Sequence, residues 1–312
     1  MDSQKEVKEI DKLPLTQSQA NKSTERFLQF TVRELQSLLS RLFKEAGIDT
    51  SVLDAQLILA NVLDKERIDI QLLGHATKVF ESHAREIFRL CARRLQYEPM
   101  AYILGKKEFY GADFLVSKDC LIPRPDTEVV VEKCLDLLPK SGPSLVYDLC
   151  TGGGIIAISL LRERKALSVE ASDISVGALS LAEINAELHG VSSRLVLHHG
   201  DLFSPFLPKE LADLIVANPP YIASSAINNL HASVRNYEPR LALDAGDDHG
   251  VAFHHRIIGA AHRYLKKGGY LVLEIGFDQK ANVSEMLGEA WHLIEFFQDL
   301  AQNTRGIVLK KR

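Results

Sequence analysis

From Thr31 to Leu42 apolar residues return at three- and four-residue steps: Val32, Leu35, Leu38, Leu39 and Leu42. That period is one face of a helix. Thr31 and Glu34 have the spacing of a capping box at its start, and Gly47 supplies a stop. A second helix is predicted near Ser51–Val62, with Leu53, Leu57, Ile58 and Leu59 on one face. Shorter helical patterns continue to Gln96, so residues 26–98 read as a small all-helical domain. Residues 1–25 carry Lys, Gln, Ser and Asp with little periodicity and read as a flexible tail.

The pattern changes over residues 99–125. Lys107–Tyr110, Gly111-Ala112 and Asp113–Ser117 read as a hairpin that joins two domains. Leu121-Ile122-Pro123-Arg124-Pro125-Asp126-Thr127-Glu128 then opens a helix, with Asp126 or Thr127 as its cap. From Ser144, short apolar runs alternate with helical periods. Strands are predicted at Leu145–Cys150, Leu167–Ser172, Arg194–His198, Ala212–Ala217, Tyr270–Ile275, Leu293–Phe297 and Gly306–Leu309. Helices fall at Gly154–Arg162, Val176–Leu188, Val251–Leu265 and Ala281–Leu287. Alternation of this kind predicts an α/β fold with a doubly wound, seven-stranded sheet over residues 126–312. The last two strands lie too close together for a crossover, so they form an antiparallel hairpin at one edge.

The chemistry sits at the ends of these strands. Asn218-Pro219-Pro220-Tyr221 follows Ala212–Ala217 directly, and the carboxyl edge of an open α/β sheet is where ligands bind. Two prolines stiffen the segment and withhold their N–H groups. The Asn218 amide and the backbone carbonyls are left as acceptors, and Tyr221 offers a flat ring. This set suits a planar NH2 group: two acceptors for its hydrogens and a surface for its plane. The expected chemistry is modification of an amide or exocyclic amino nitrogen. Asp148–Gly154 follows the first strand as a glycine-rich turn, but it is not G-x-G-x-x-G. Asp173 ends the second strand, where an acid holds ribose hydroxyls, and Asp201-Leu202 ends the third, where an acid can meet an adenine amino group. Together they predict an adenosine-bearing cofactor lying across the strand ends.

Composition narrows the partners. The chain has 312 residues, a formal net charge of −4 and an apolar fraction of 46 %. An acidic balance argues against gripping nucleic acid through its phosphates. Arg85, Arg89, Arg93 and Arg94 are close together and read as a solvated helix face. Cys91, Cys120, Cys134 and Cys150 show no paired spacing and read as reduced thiols. The adjacent pairs His198-His199 and His254-His255 do not chelate together easily, so no metal is expected. Cys150 has no visible activating base, and Tyr102 and Phe109 read as packing residues. The start lacks a basic and apolar leader, and no run approaches the roughly 20 apolar residues of a membrane span. A soluble, cytoplasmic, monomeric protein is expected.

At these residues the chain resembles the release-factor glutamine methyltransferases, the HemK/PrmC family, over about residues 30–312. The resemblance rests on Glu98-Pro99 with Tyr102–Gly105, Leu121–Glu128, the Asp148–Gly154 loop, Asn218–Ile222, Glu238-Pro239-Arg240 and Leu273–Gly276. It implies a class I methyltransferase sheet, S-adenosylmethionine as methyl donor and the glutamine of the Gly-Gly-Gln motif of peptide chain release factors as acceptor. It also implies that the amino-terminal domain helps to grip that partner. Carried over by position, Cys150, Thr151, Gly152, Gly153 and Gly154 border the methionine part of the donor, Asp173 meets the ribose and Leu202 borders the adenine. Asn218, Pro219, Pro220 and Tyr221 hold the glutamine amide, with Asn218, Pro219 and Tyr221 in the catalytic roles and Asn218 also beside the donor. Two alternatives share parts of this pattern: a DNA adenine or RNA amino methyltransferase acting on a flipped base, and a catalytically inactive cofactor-binding scaffold.

Overall fold

A computed structural model describes residues 27–73, 77–206 and 211–312, and the tail expected over residues 1–25 lies outside them. The chain parts into two compact units between Leu104 and Gly105.

In the first unit the capping box forms as expected. Thr31 N donates to Glu34 Oε2 at 2.8 Å, and Glu34 N donates to Thr31 Oγ1 at 3.3 Å. Helix Val32–Glu45 buries Val32, Leu35, Leu39 and Phe43. Helix Ser51–Leu63 departs from the apolar face read from sequence. Its buried side carries Ser51, Asp54, Ala55, Ile58 and Leu59, while Leu53 is 41 % exposed. The inward turn of Asp54 is the reason: its carboxylate takes the Arg94 guanidinium at 2.7 Å and the Thr50 hydroxyl at 2.8 Å, and a paired, hydrogen-bonded charge is tolerated inside. The arginine run is accordingly split. Arg85 and Arg89 pair with Glu81 and Glu86 at the surface, but Arg93 turns to Glu98 and Arg94 to Asp54, both buried acids. The unit is also not wholly helical. Strand β1 (Phe27–Thr31) pairs antiparallel with β2 (Lys78–Phe80), a pairing across some 50 residues that local patterning does not reveal.

The second unit begins with the expected hairpin, β3 (Lys106–Phe109) against β4 (Ala112–Leu115). Tyr110 and Gly111 both adopt positive φ (+48° and +68°), which a two-residue hairpin turn of matching twist requires. Its main sheet has seven strands: β5 (Ser144–Leu149), β6 (Leu167–Asp173), β7 (Leu195–His199), β8 (Ala212–Ala217), β9 (Leu265–Glu274), β10 (Trp291–Gln298) and β11 (Thr304–Lys311). Their order is β10-β11-β9-β8-β5-β6-β7. β5 to β9 run parallel, and β11 inserts antiparallel between β9 and β10. The doubly wound architecture and the terminal hairpin thus stand as expected. Alternate residues of the central strands feed two cores. Val146, Val169, Leu214, Val216 and Val272 face one layer of helices. Tyr147, Leu149, Ile215, Leu271 and Leu273 face the other. A sheet covered on both faces needs such unbroken apolar runs.

The order places β5 beside β8, and the connections from their carboxyl ends run to opposite sides, from β5 to β6 and from β8 to β9. This is the topological switch point, where an open α/β sheet leaves a crevice.

Candidate functional site

The crevice is a cavity of about 350 Å3, of the size that takes a drug-sized ligand. One side is the turn after β5. Cys150 and Gly152 have φ of +56° and +55°, so the chain folds back on itself at the strand end. Beneath it, Asp148 is fully buried and accepts the Thr151 hydroxyl at 2.6 Å and Ala157 N at 3.3 Å, while its Oδ1 has no partner. Burial pushes the Asp148 carboxyl up to about 7, with Thr151 and the Ala157 N–H acting against it. Asn185 holds the turn from the side: its Nδ2 donates to Gly153 O at 2.9 Å and to Leu115 O at 3.1 Å, and its Oδ1 accepts Leu115 N at 2.9 Å.

Asp173 lines the cavity at the end of β6. Its Oδ2 accepts Gly152 N at 2.8 Å and its Oδ1 accepts Ser175 N at 2.9 Å. Burial raises its pKa and these N–H groups lower it. Leu202 follows on the same wall in the left-handed region (φ +49°), its carbonyl held by the Ser172 hydroxyl at 2.8 Å. Asp201 pairs with Arg256, which also lies over the Phe253 ring; these three side chains complete that end.

The opposite wall is Asn218 and Pro220, directly after β8. Asn218 Nδ2 donates to Thr127 Oγ1 at 3.3 Å. Thr127 had been expected to cap the helix Glu128–Leu137, but its side chain makes no cap bond and turns inward instead. Asp126, the other candidate cap, pairs with Arg305 at 2.9 Å. Pro219 and Tyr221 do not border the cavity. Tyr221 is pinned at both ends: its hydroxyl donates to Glu274 Oε1 at 3.1 Å, and its carbonyl accepts Gln279 Nε2 at 2.8 Å. Burial, and then the Glu274 charge, keep the phenol protonated.

The structure therefore brings Cys150, Thr151, Gly152, Gly153, Asp173, Leu202, Asn218 and Pro220 onto one cavity. Gly154 is set apart from it. It opens the helix Ile155–Glu163, and a Cβ there would lie 2.9 Å from Ile158 Cδ1 and 3.2 Å from Ala182 Cβ, so its smallness serves helix packing. Sequence reasoning missed Thr127, Glu274, Gln279, Asn185 and Arg256. The runs Leu121–Glu128 and Leu273–Gly276 were visible, but the contacts that give Thr127 and Glu274 a role were not. Among the described residues no group of His, Cys, Asp and Glu could hold a metal ion.

Comparison with known proteins gives the family. The PrmC N-terminal domain family matches residues 34–105, and the methyltransferase small domain family matches residues 131–236. A release factor glutamine methyltransferase of Nitratidesulfovibrio vulgaris is 40 % identical over 269 residues, covering 85 % of this chain and 90 % of that protein. One of Geobacter sulfurreducens is 38 % identical over 264 residues, covering 84 % and 90 %. The solved structure of a methyltransferase from Pyrococcus furiosus superposes with a TM-score of 0.50 at 17 % identity, covering 66 % of this chain and 91 % of that one, a likeness of fold.

Proposed function

Because the chain belongs to the release factor glutamine methyltransferase family, we propose that its cavity holds S-adenosylmethionine and that Asn218 presents the glutamine amide of a release factor to it. The protein transfers a methyl group to the side-chain amide nitrogen of the glutamine in the Gly-Gly-Gln motif. It acts as a cytoplasmic monomer. Among the described residues no helix is long and apolar enough to cross a membrane.

The observation that carries the site assignment is the hydrogen bond from Asn218 Nδ2 to Thr127 Oγ1. With its NH2 group engaged, the Asn218 amide turns Oδ1 outward as an acceptor. The donor fits the residues present: Asp173, with a carboxylate fixed by two N–H groups, would hold ribose hydroxyls, and the Cys150–Gly153 turn and Leu202, on the same cavity, would border its methionine part and its adenine. When bound, the donor supplies a methyl group already activated by a sulfonium.

The protein's part is to orient the acceptor. An amide nitrogen is a weak nucleophile because its lone pair is delocalised into the carbonyl. Asn218 Oδ1, on the cavity wall, accepts one of its hydrogens and shifts density toward nitrogen. That bond strengthens as nitrogen gains positive charge, so it stabilises the transition state more than the ground state. Tyr221, held at its hydroxyl and its carbonyl, stiffens the segment that carries Asn218. Rigid placement of the nucleophile in line with the methyl group supplies much of the remaining acceleration.

Mass spectrometry of a release factor's Gly-Gly-Gln peptide after incubation with protein and donor tests the reading. A gain of one methyl group on the glutamine is expected, and none on a DNA or RNA control. Asn218→Ala should abolish transfer while sparing donor binding, and equal turnover by mutant and wild type would reject the role of Asn218.

A further inference from the structure

The methyl-transfer step leaves one ion pair of the cavity unused. Asp201 stands beside Leu202, at the end assigned to the adenine, and Arg256 reaches it from the helix Ala252–Ala261. Arg256 Nη2 donates to Asp201 Oδ2, and the guanidinium lies over the Phe253 ring, 5.5 Å from its centroid. These four residues all line the cavity.

The backbone around Asp201 is held from several directions. Gly200 N donates to Asp173 O at 3.0 Å, Ser204 N to Asp201 O at 3.0 Å, and the Ser172 hydroxyl to Leu202 O at 2.8 Å. Phe203 is buried and stacks on Tyr264, with ring centroids 4.4 Å apart. Gly200 has no room for a side chain: a Cβ there would lie 2.8 Å from Pro205 Cδ and from Ser204 Oγ. The Asp201 side chain is less constrained. It is 43 % exposed, and among the described residues its one hydrogen bond is the bond to Arg256. The turn therefore places the carboxylate, and Arg256 selects the rotamer in which its oxygens are presented.

A carboxylate only accepts, and a guanidinium only donates. With Oδ2 taken by Arg256, Oδ1 is left to accept at the cavity wall. Adenine carries an amino group at C6, a donor that Oδ1 can meet; a 6-oxopurine carries a carbonyl there, which sets oxygen against oxygen. We propose that Arg256 is a positioning residue, which holds the Asp201 carboxylate so that the site takes an adenine donor and rejects a 6-oxopurine one. The inference rests on the donor reading of the cavity, with the adenine beside Leu202.

The fixed direction of the Arg256 bond has a consequence for Asp201→Asn. Arg256 would take the amide oxygen, because it has no lone pair to offer the amide NH2. That NH2 would then face the base, opposed to the adenine amino group and matched to a carbonyl. At 48 % and 43 % exposure the pair adds little to the stability of the fold, so substitutions in it read out binding.

The test is calorimetry of the full chain with S-adenosylhomocysteine and with S-inosylhomocysteine, whose base has a carbonyl at C6; thermal melts report folding. Wild type should prefer the adenosyl compound roughly 100-fold, as for one charge-assisted hydrogen bond exchanged for a repulsive contact. Arg256→Met keeps a stem against Phe253 and removes the donors. It should cut the preference about tenfold, through weaker binding of S-adenosylhomocysteine. Arg256→Lys retains a donor and should keep most of the preference. Asp201→Asn should lose the preference or reverse it. A wild-type preference in Arg256→Met, including an equal loss of both affinities, overturns the inference. If that variant does not fold, a wild-type preference in Asp201→Asn overturns it instead. A wild-type protein that binds neither compound sinks the donor reading itself, whereas binding of S-adenosylhomocysteine beside an unaltered preference in Arg256→Met sinks only the role of Arg256.

Discussion

Arg124 and Glu238, 114 residues apart in sequence, form an ion pair at the rim of the cavity. The Glu238 side chain is almost wholly buried, and its second oxygen accepts Ile122 N at 3.1 Å. One carboxylate thus ties the Leu121–Glu128 run to the Glu238-Pro239-Arg240 run, and Ile122, Arg124 and Pro239 all line the cavity.

Glu238→Gln keeps the shape of this tie and removes its charge. Because Arg124 is about one-third exposed at 35 %, water compensates in part. A stability loss of about 1–3 kcal/mol is expected, with a larger fall in kcat/KM than in kcat. Denaturant unfolding and steady-state kinetics check it; an unchanged kcat/KM would show that the tie does not shape the site.

Asp173→Ala should weaken donor binding about 10- to 100-fold in calorimetry. It removes the proposed ribose contact and also frees the Gly152 and Ser175 N–H groups that shape the turn. Unchanged affinity would place the ribose elsewhere.

Gly250 lies at φ +72°, and a Cβ there would sit 2.3 Å from Tyr221 O and 2.5 Å from Gln279 Nε2. The methyl group would enter the bond by which Gln279 holds Tyr221. Gly250→Ala is expected to cost about 2 kcal/mol or more. Transfer should slow while donor affinity stays near wild type. A thermal melt indistinguishable from wild type would contradict the packing.

Asp148 carries a stability signature. Its folded pKa, about 7, lies above its ordinary value of 3.8. Between these values the folded state keeps a proton that the unfolded state has lost. The contribution is therefore complete below pH 3.8 and declines as pH rises toward about 7. In Asp148→Asn that slope, up to about 1.4 kcal/mol per pH unit, should disappear. Chemical denaturation of both proteins from pH 4 to 7.5 measures it, and parallel curves would refute the assignment.

Much of the fold was legible in sequence because its signals are local. Strand runs, the Thr31–Glu34 cap and the stiff Asn218–Tyr221 segment each depend on residues a few positions apart. The placement of Cys150, Asp173, Leu202 and Asn218 on one cavity followed from alternation, since a doubly wound sheet gathers its strand ends at one edge. Partners across long separations were not legible. The inward turn of Asp54 depended on Arg94, the pairing of β1 depended on β2, and Thr127 faced the site because Asn218 arrived there.

The sequence by itself determined which elements form and which side chains stand at the strand ends, because periodicity and backbone chemistry act over neighbouring residues. Only the tertiary structure decided how those side chains are oriented. The orientation of the Asn218 amide and the anchoring of Tyr221 depend on hydrogen bonds whose donors and acceptors come from separate elements. A hydrogen bond has direction, and direction exists only once both partners are in place.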